Sequence, residues 1–292
     1  MNIVSNKEND FSGYLYWAFL FIIFALVAPF IFTKCSTSVY FNETTEQIGG
    51  TIGGIMNPFI SIAAVIVTGL AFYAQYRAND MVRKQFEIQK FENQFYQRLR
   101  LHKENINEIE IESKGKLMKG RVAFYQMLED LEQELEKEKS NVNDRQAFQE
   151  KVYSKFYKEY GKHISHYFRH LFHTVEFVVN QNDEIIDKKQ KREYLQILII
   201  QMSNDEHKLL FYDWLAPNYG GPWEELDERK EGNHFFTEYR MIYNLWYDEL
   251  VKCELVKNEL VALRDRYKDN KYEDYFFEQG DDIERKFKVN SK

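Results

Sequence analysis

Apolar positions along this chain change their period several times, and each change marks an element. Residues 14–33 (YLYWAFLFIIFALVAPFIFT) run about twenty positions without a charge, the length of a bilayer span. Tyr14, Tyr16 and Trp17 stand at one end, where amphipathic rings favour the interface. The length, the bulky aromatics and the lack of a small-residue cleavage site disfavour a signal peptide. Residues 55–76 (IMNPFISIAAVIVTGLAFYAQY) form a second uncharged run. The connection 34–54 holds Lys34 against Glu43 and Glu46, whereas Arg77, Arg83 and Lys84 follow the second run. The positive-inside rule then places both termini in the cytoplasm and only 34–54 outside, a two-pass topology in an inner membrane. Ser61, Ala63, Ala64, Gly69 and Ala71 would let the two spans approach closely. Neither span carries an acid or a base, so neither reads as an ion relay.

Beyond Arg77 the chain is polar but stays periodic. Met81, Ile88, Phe95, His102 and Ile109 recur every seven residues, with Phe91, Leu99 and Ile106 beside them. No Gly or Pro interrupts 70–114, so one long helix with a coiled-coil-like seam is expected, His102 being a satisfied buried histidine on it. Gly115 and Gly120 bracket a break. A second helix over 121–139 should bury Val122, Tyr125, Leu128, Leu131 and Leu135. A third, opened by Asp144, should bury Phe148, Val152, Phe156 and Tyr160. Gly161 separates or bends it from the next segment.

That segment, GKHISHYFRHLFHTVEFVV (161–179), carries four of the seven histidines. At about 100° per residue, His163, His166, His170 and His173 share one narrow arc. Ile164, Phe168, Leu171, Phe172, Val175 and Val178 fall roughly opposite. After a polar loop (180–188), the apolar run 193–202 is expected to be the most buried cytoplasmic helix. Ser203–Glu206 reads as a capping box that opens a short helix ended by Pro217. Residues 216–232 are a loop. Residues 234–269 read as a final long helix with Phe235, Tyr239, Ile242, Leu245, Trp246, Leu250, Leu255 and Leu260 in the core.

The expected fold class is therefore all-α: a two-span transmembrane helical hairpin followed by a cytoplasmic helical bundle. Its parts are an N-terminal segment (1–13), the hairpin (14–76), the helical domain (77–269) and a loosely ordered charged tail (270–292). A net charge of −7 gives no basic nucleic-acid footprint. Aromatics make up 16% of the chain, which in a helical protein signals thick aromatic packing. Two cysteines, Cys35 and Cys253, cannot form a disulfide framework, and the topology sets them on opposite sides of the membrane.

The sequence holds no Gly-rich phosphate loop, no cysteine pair for zinc, no HExxH and no GxSxG. Histidines at i and i+3 or i+4 can share a metal, but one helix face rarely supplies a whole site. No metal or cofactor is therefore expected. The histidine face, His163, His166, His170 and His173 with Arg169, is a candidate interface. An Arg and a downstream His on one helix also form the catalytic pair of HEPN-type ribonucleases. That makes Arg169 and His173 the catalytic candidates here, although only three residues separate them, as between Arg98 and His102, and the family's spacing is wider.

Three words stand in order: FEIQKFENQFYQRLRLHKENI (86–106), HYFRHLFH (166–173) and ILIIQMSNDEHKLLFYD (197–213). With the second span, over about 50–215, they resemble the phage abortive-infection family, the AbiC-like membrane proteins. The resemblance implies bacterial antiviral defence, in which an infected cell stops growing before phage are released. It brings no catalytic set. The expected partners are membrane lipids, further copies of the chain, a phage protein or nucleic acid as trigger, and a partner defence protein. The expected mode is non-enzymatic, the cytoplasmic domain sensing and the hairpin acting. The alternatives are a membrane-tethered HEPN-like ribonuclease and a non-defence membrane scaffold.

Overall fold

The computed structural model describes residues 13, 16–17, 19–24, 27, 45–113, 115–225, 232–269 and 274–289. The chain divides into two units, Met1–Phe86 and Glu87–Lys292. In the first unit, Tyr16, Trp17 and residues 19–24 of the expected first span are helical. The rest of that span is largely outside the described residues, as is Cys35. Helix α1 (Thr45–Glu108) begins ten residues before the expected start of the second span at Ile55. Among the described residues α1 is long and apolar enough to cross a membrane. Its uncharged stretch leaves Ile60, Ile62, Val65, Val67, Phe72 and Tyr76 exposed. A contiguous apolar surface of this kind requires a partner or a bilayer to cover it. Within the unit, the Phe24 ring meets Phe59 edge-on at 5.3 Å.

The second unit is mostly helical but not all-α. The helix expected to reach Lys114 stops at Glu108, and a two-stranded antiparallel hairpin follows: β1 (Glu110–Ser113) against β2 (Lys116–Lys119). Ile109 continues the seven-residue seam and so looked helical. Ile109 and Ile111 are both buried, however, and a spacing of two belongs to a strand. Gly115 turns the hairpin with φ of 74°.

The seam of α1 is filled from within the chain. Phe91 stacks on Phe177 at 5.5 Å, and Phe95 meets Tyr194 at 5.3 Å. Ile88 is partly buried, and Met81 is exposed. Helix α2 (Arg121–Glu138) buries Leu128, Leu131 and Leu135 as expected. Val122 and Tyr125 face out instead, and Ala123, Phe124 and Met127 face in.

Asp144 caps α3 (Arg145–Phe148) by accepting from the Ala147 N–H at 2.8 Å. A π-helical turn (Gln149–Tyr153) passes straight into α4 (Ser154–Val179). Phe148, Val152, Phe156 and Tyr160 are all buried. Gly161 neither breaks nor bends a boundary, since α4 runs through it. A Cβ there would stand 2.9 Å from the Tyr157 ring, so the glycine makes room for that ring.

Asp187 and Gln190 form a capping box that opens α5 (Lys188–Gln201). Ser203 caps α6 (Asn204–Leu215), its hydroxyl accepting from the Glu206 N–H at 3.2 Å. The expected order of burial is reversed. Ile197 and Ile200 of α5 are exposed, whereas every residue from Glu206 to Ala216 is buried.

The expected helix over 234–269 is helical only in α7 (Glu254–Asp269). Before it, the chain turns repeatedly, with one 3₁₀ turn (Tyr247–Glu249). The buried Glu224 carboxylate takes the N–H groups of Phe236 and Thr237 at 3.1 and 3.0 Å, and the Thr237 hydroxyl at 2.7 Å. Arg240 adopts φ of 57°, tied to Asp274 at 2.6 Å. Most of the expected core residues are buried there all the same, Trp246 being exposed. The tail is not loose over 274–289. Phe276, Phe277, Ile283 and Phe287 are buried, and α8 (Ile283–Val289) closes it.

Candidate functional site

Helix α4 presents two different flanks. Its apolar face is core, with Tyr167 set edge-on to Phe124 of α2 at 4.8 Å. On the histidine flank His166, His173 and Arg169 are exposed, and His163 and His170 are half-buried. His173 Nδ1 lies 2.9 Å from Glu176 Oε2. The structure records no hydrogen bond between Arg169 and His173.

The end of α1 packs beside this flank and brings His102 to it. The His102 ring stacks at 6.2 Å on His170 and sits 5.2 Å from Tyr167. His102 is fully buried, as its place on the seam required, but it is not satisfied. Neither of its ring nitrogens, nor either of His170's, has a hydrogen-bond partner among the described residues. Burial pushes His102 down to about 4, with the charges of His170 and Arg121 adding to the effect. Burial also lowers His170, helped by Arg98, His166 and His173. Both rings are therefore neutral near pH 7.

From there a polar chain enters the core. The Tyr167 hydroxyl donates to Glu206 Oε2 at 2.9 Å, and Glu206 Oε1 stands 3.3 Å from Arg121 Nε. Burial raises Glu206, while Tyr167 and Arg121 hold it back. This chain ties the histidine flank to the capped start of α6.

Where the histidine flank borders the apolar face, at Arg169, α4 lines a cavity of about 220 Å³. Tyr157, Phe168 and Phe172 of α4 form part of its wall, and Tyr219 and Trp223 of the loop after α6 form the rest. Arg169, Ser165 and Asp213 supply its polar groups. Asp213, at the end of α6, accepts from the Tyr153 hydroxyl at 2.5 Å, and burial pushes its carboxyl up to about 7. Arg169 has no ion pair or hydrogen bond among the described residues. Among those residues no group of three or more His, Cys, Asp or Glu is placed to hold a metal ion.

Apart from α1, α2, the π-helical turn with Tyr153 and the first turn of α4 with Tyr157, the residues of both regions fall in one stretch of the chain. Residues 159–250 match the family model described as putative phage abortive infection protein. The match takes in the histidine words and the α5–α6 words, and reaches past them to residue 250. The 86–106 word lies outside it. No curated protein and no solved structure matches the chain.

Sequence reasoning named the histidine stripe and Arg169, and the structure sets Arg169 at the mouth of the cavity. It missed Tyr167 and Asp213, and read Glu206 only as part of a helix cap. The one signal for them was that polar residues interrupt the otherwise apolar α4 face and α6.

Proposed function

We propose that the chain is a membrane-attached abortive-infection protein whose helical domain senses infection and acts through the apolar segment of α1. The family match over 159–250 carries this reading. The uncovered apolar surface of α1, with no Asp, Glu, Lys or Arg from Ile55 to Tyr76, supports the membrane part. The contact of Phe24 with Phe59 supports a second span folded back on the first. The protein sits in the inner membrane with both termini in the cytoplasm, and further copies join it when it is triggered.

Phage challenge of cells expressing the full chain tests the reading. Protected cultures should lose membrane potential early while their RNA stays intact. RNA breakdown with the potential held would replace it by the membrane-tethered ribonuclease. Topology is read by labelling whole cells with an impermeant thiol reagent. Cys35 should react. Cys253 is buried, so a Ser140→Cys variant reports the domain instead, and should react only after permeabilisation. Labelling of that variant in intact cells would invert the topology.

A further inference from the structure

We propose that the cavity between α4 and the loop after α6 binds a nucleotide, with the base in the aromatic cavity and a phosphate on Arg169. The cavity, about 220 Å³, is below the usual size of drug-type pockets and suits one planar ring system rather than a whole large ligand. Its lining is largely aromatic, with Tyr157, Phe168 and Phe172 of α4 on one side and Tyr219 and Trp223 of the loop on the other. Every nucleobase has a π-face that such walls accept.

The polar groups narrow the chemistry. Asp213 is a buried carboxyl already held by Tyr153, so it is fixed in place; ionised it only accepts, and protonated it both donates and accepts, so it offers an acceptor in either state. An acceptor in the wall disfavours a purely apolar or acidic ring and favours one carrying N–H donors, as a nucleobase does. Arg169 is an exposed cation without a partner among the described residues, at the mouth of the same cavity. A guanidinium takes a phosphate through paired N–H bonds. The surrounding helix is basic although the whole chain is not. From Ser154 to Thr174 it carries Lys155, Lys158, Lys162 and Arg169 against Glu159 alone.

The loop is shaped for this. A Cβ on Gly220 would stand 2.0 Å from the Asp213 carbonyl, so only glycine lets the loop close against the end of α6. The cavity is thereby built into the fold.

Calorimetric titration of the full chain in detergent micelles tests the proposal. The probes are the common nucleoside 5′-monophosphates, the parent nucleosides, inorganic phosphate and a short single-stranded ribo-oligonucleotide. At least one monophosphate should bind with a Kd below about 1 mM. Its nucleoside, and the Arg169→Ala variant, should each bind about tenfold more weakly, with the melting temperature of the variant unchanged. Arg169→Lys should recover part of the loss. An oligonucleotide that binds more tightly than every monophosphate identifies an RNA chain as the source of the base. The reverse order identifies a free nucleotide, and either supports the site. The proposal fails if no monophosphate saturates by about 10 mM, if Arg169→Ala binds as the wild type does, or if inorganic phosphate binds as well as the nucleotide. None of these results depends on the defence reading, which phage challenge tests separately.

Discussion

Helices α5 and α6 are neighbours in the chain and nearly equal in length, yet they differ in what they bury. The apolar run of α5, YLQILII, is the greasier of the two, yet Ile197 and Ile200 within it face out. The run in α6 includes Glu206, His207, Lys208 and Asp213, and all of it is inside. Composition decides whether a helix can be buried; the number of faces covered by neighbours decides whether it is. Helix α6 lies against α2 and the π-helical turn, with the loop after it folded back over its end. Its polar groups are tolerated because most have partners. Glu206 has Tyr167 and Arg121, Lys208 reaches Glu249 at 2.6 Å, and Asp213 has Tyr153. The burial of a charge without a partner would cost far more than the pairing returns.

The largest effect that tests this contrast is a truncation inside α6. Leu210 is wholly buried, so Leu210→Ala should cost about 2–5 kcal/mol in chemical denaturation. A cost under about 1 kcal/mol would mean that the surrounding elements collapse into the space and that α6 is not the fixed centre of the domain.

His102 tests the unpartnered end of the polar chain, through pH. Its folded value, about 4, is depressed below the ordinary 6.5. Between these values the unfolded chain takes up a proton that the folded chain does not, so the wild type loses stability as the pH falls from about 6.5 towards 4. The groups facing it are His170, Tyr167 and Arg121, none of which offers its nitrogens a hydrogen bond. His102→Leu removes this titration and the orphaned nitrogens together. Relative to the wild type, the variant should gain about 2 kcal/mol between pH 7 and pH 5, read from urea midpoints at each pH. The difference isolates His102, because His207, also near 4, and Glu132 and Asp213, both raised to about 7 by burial, are common to both proteins. A flat difference would mean that the ring finds a partner in solution.

The elements that could be read from the sequence are those decided locally. The caps at Asp144 and Ser203, the glycines around the 115–120 break and the buried face from Phe148 to Tyr160 all follow from near neighbours. What could not be read is decided at a distance. The turns over 235–250 look helical by their apolar spacing, but they are held by distant partners: Glu224 takes the N–H groups of Phe236 and Thr237, and Arg240 is tied to Asp274. The hairpin after α1 hides in a seven-residue repeat that Ile109 happens to continue. The candidate site divides in the same way. The histidine stripe is a property of one helix and was visible. The stacking of His102 on His170 joins α1 to α4, and the cavity joins Arg169 to Asp213 and Trp223. Such pairings leave no trace in a single sequence.

The smallest expected effect falls on the outer face of α5. Ile200 is 68% exposed in a helix whose apolar run invited a core assignment. The end of this helix is held by Arg121, whose guanidinium donates to the Gln201 carbonyl at 2.5 Å, a bond that does not involve the Ile200 side chain. Ile200→Ala removes little buried area and slightly improves helix propensity, so its net effect should lie within about 0.5 kcal/mol. Set beside Leu210→Ala, ten residues on, it turns the comparison of the two helices into one measured ratio. A loss above about 1 kcal/mol would show that this face is covered in the folded protein, and the contrast between α5 and α6 would then be one of partner rather than of burial.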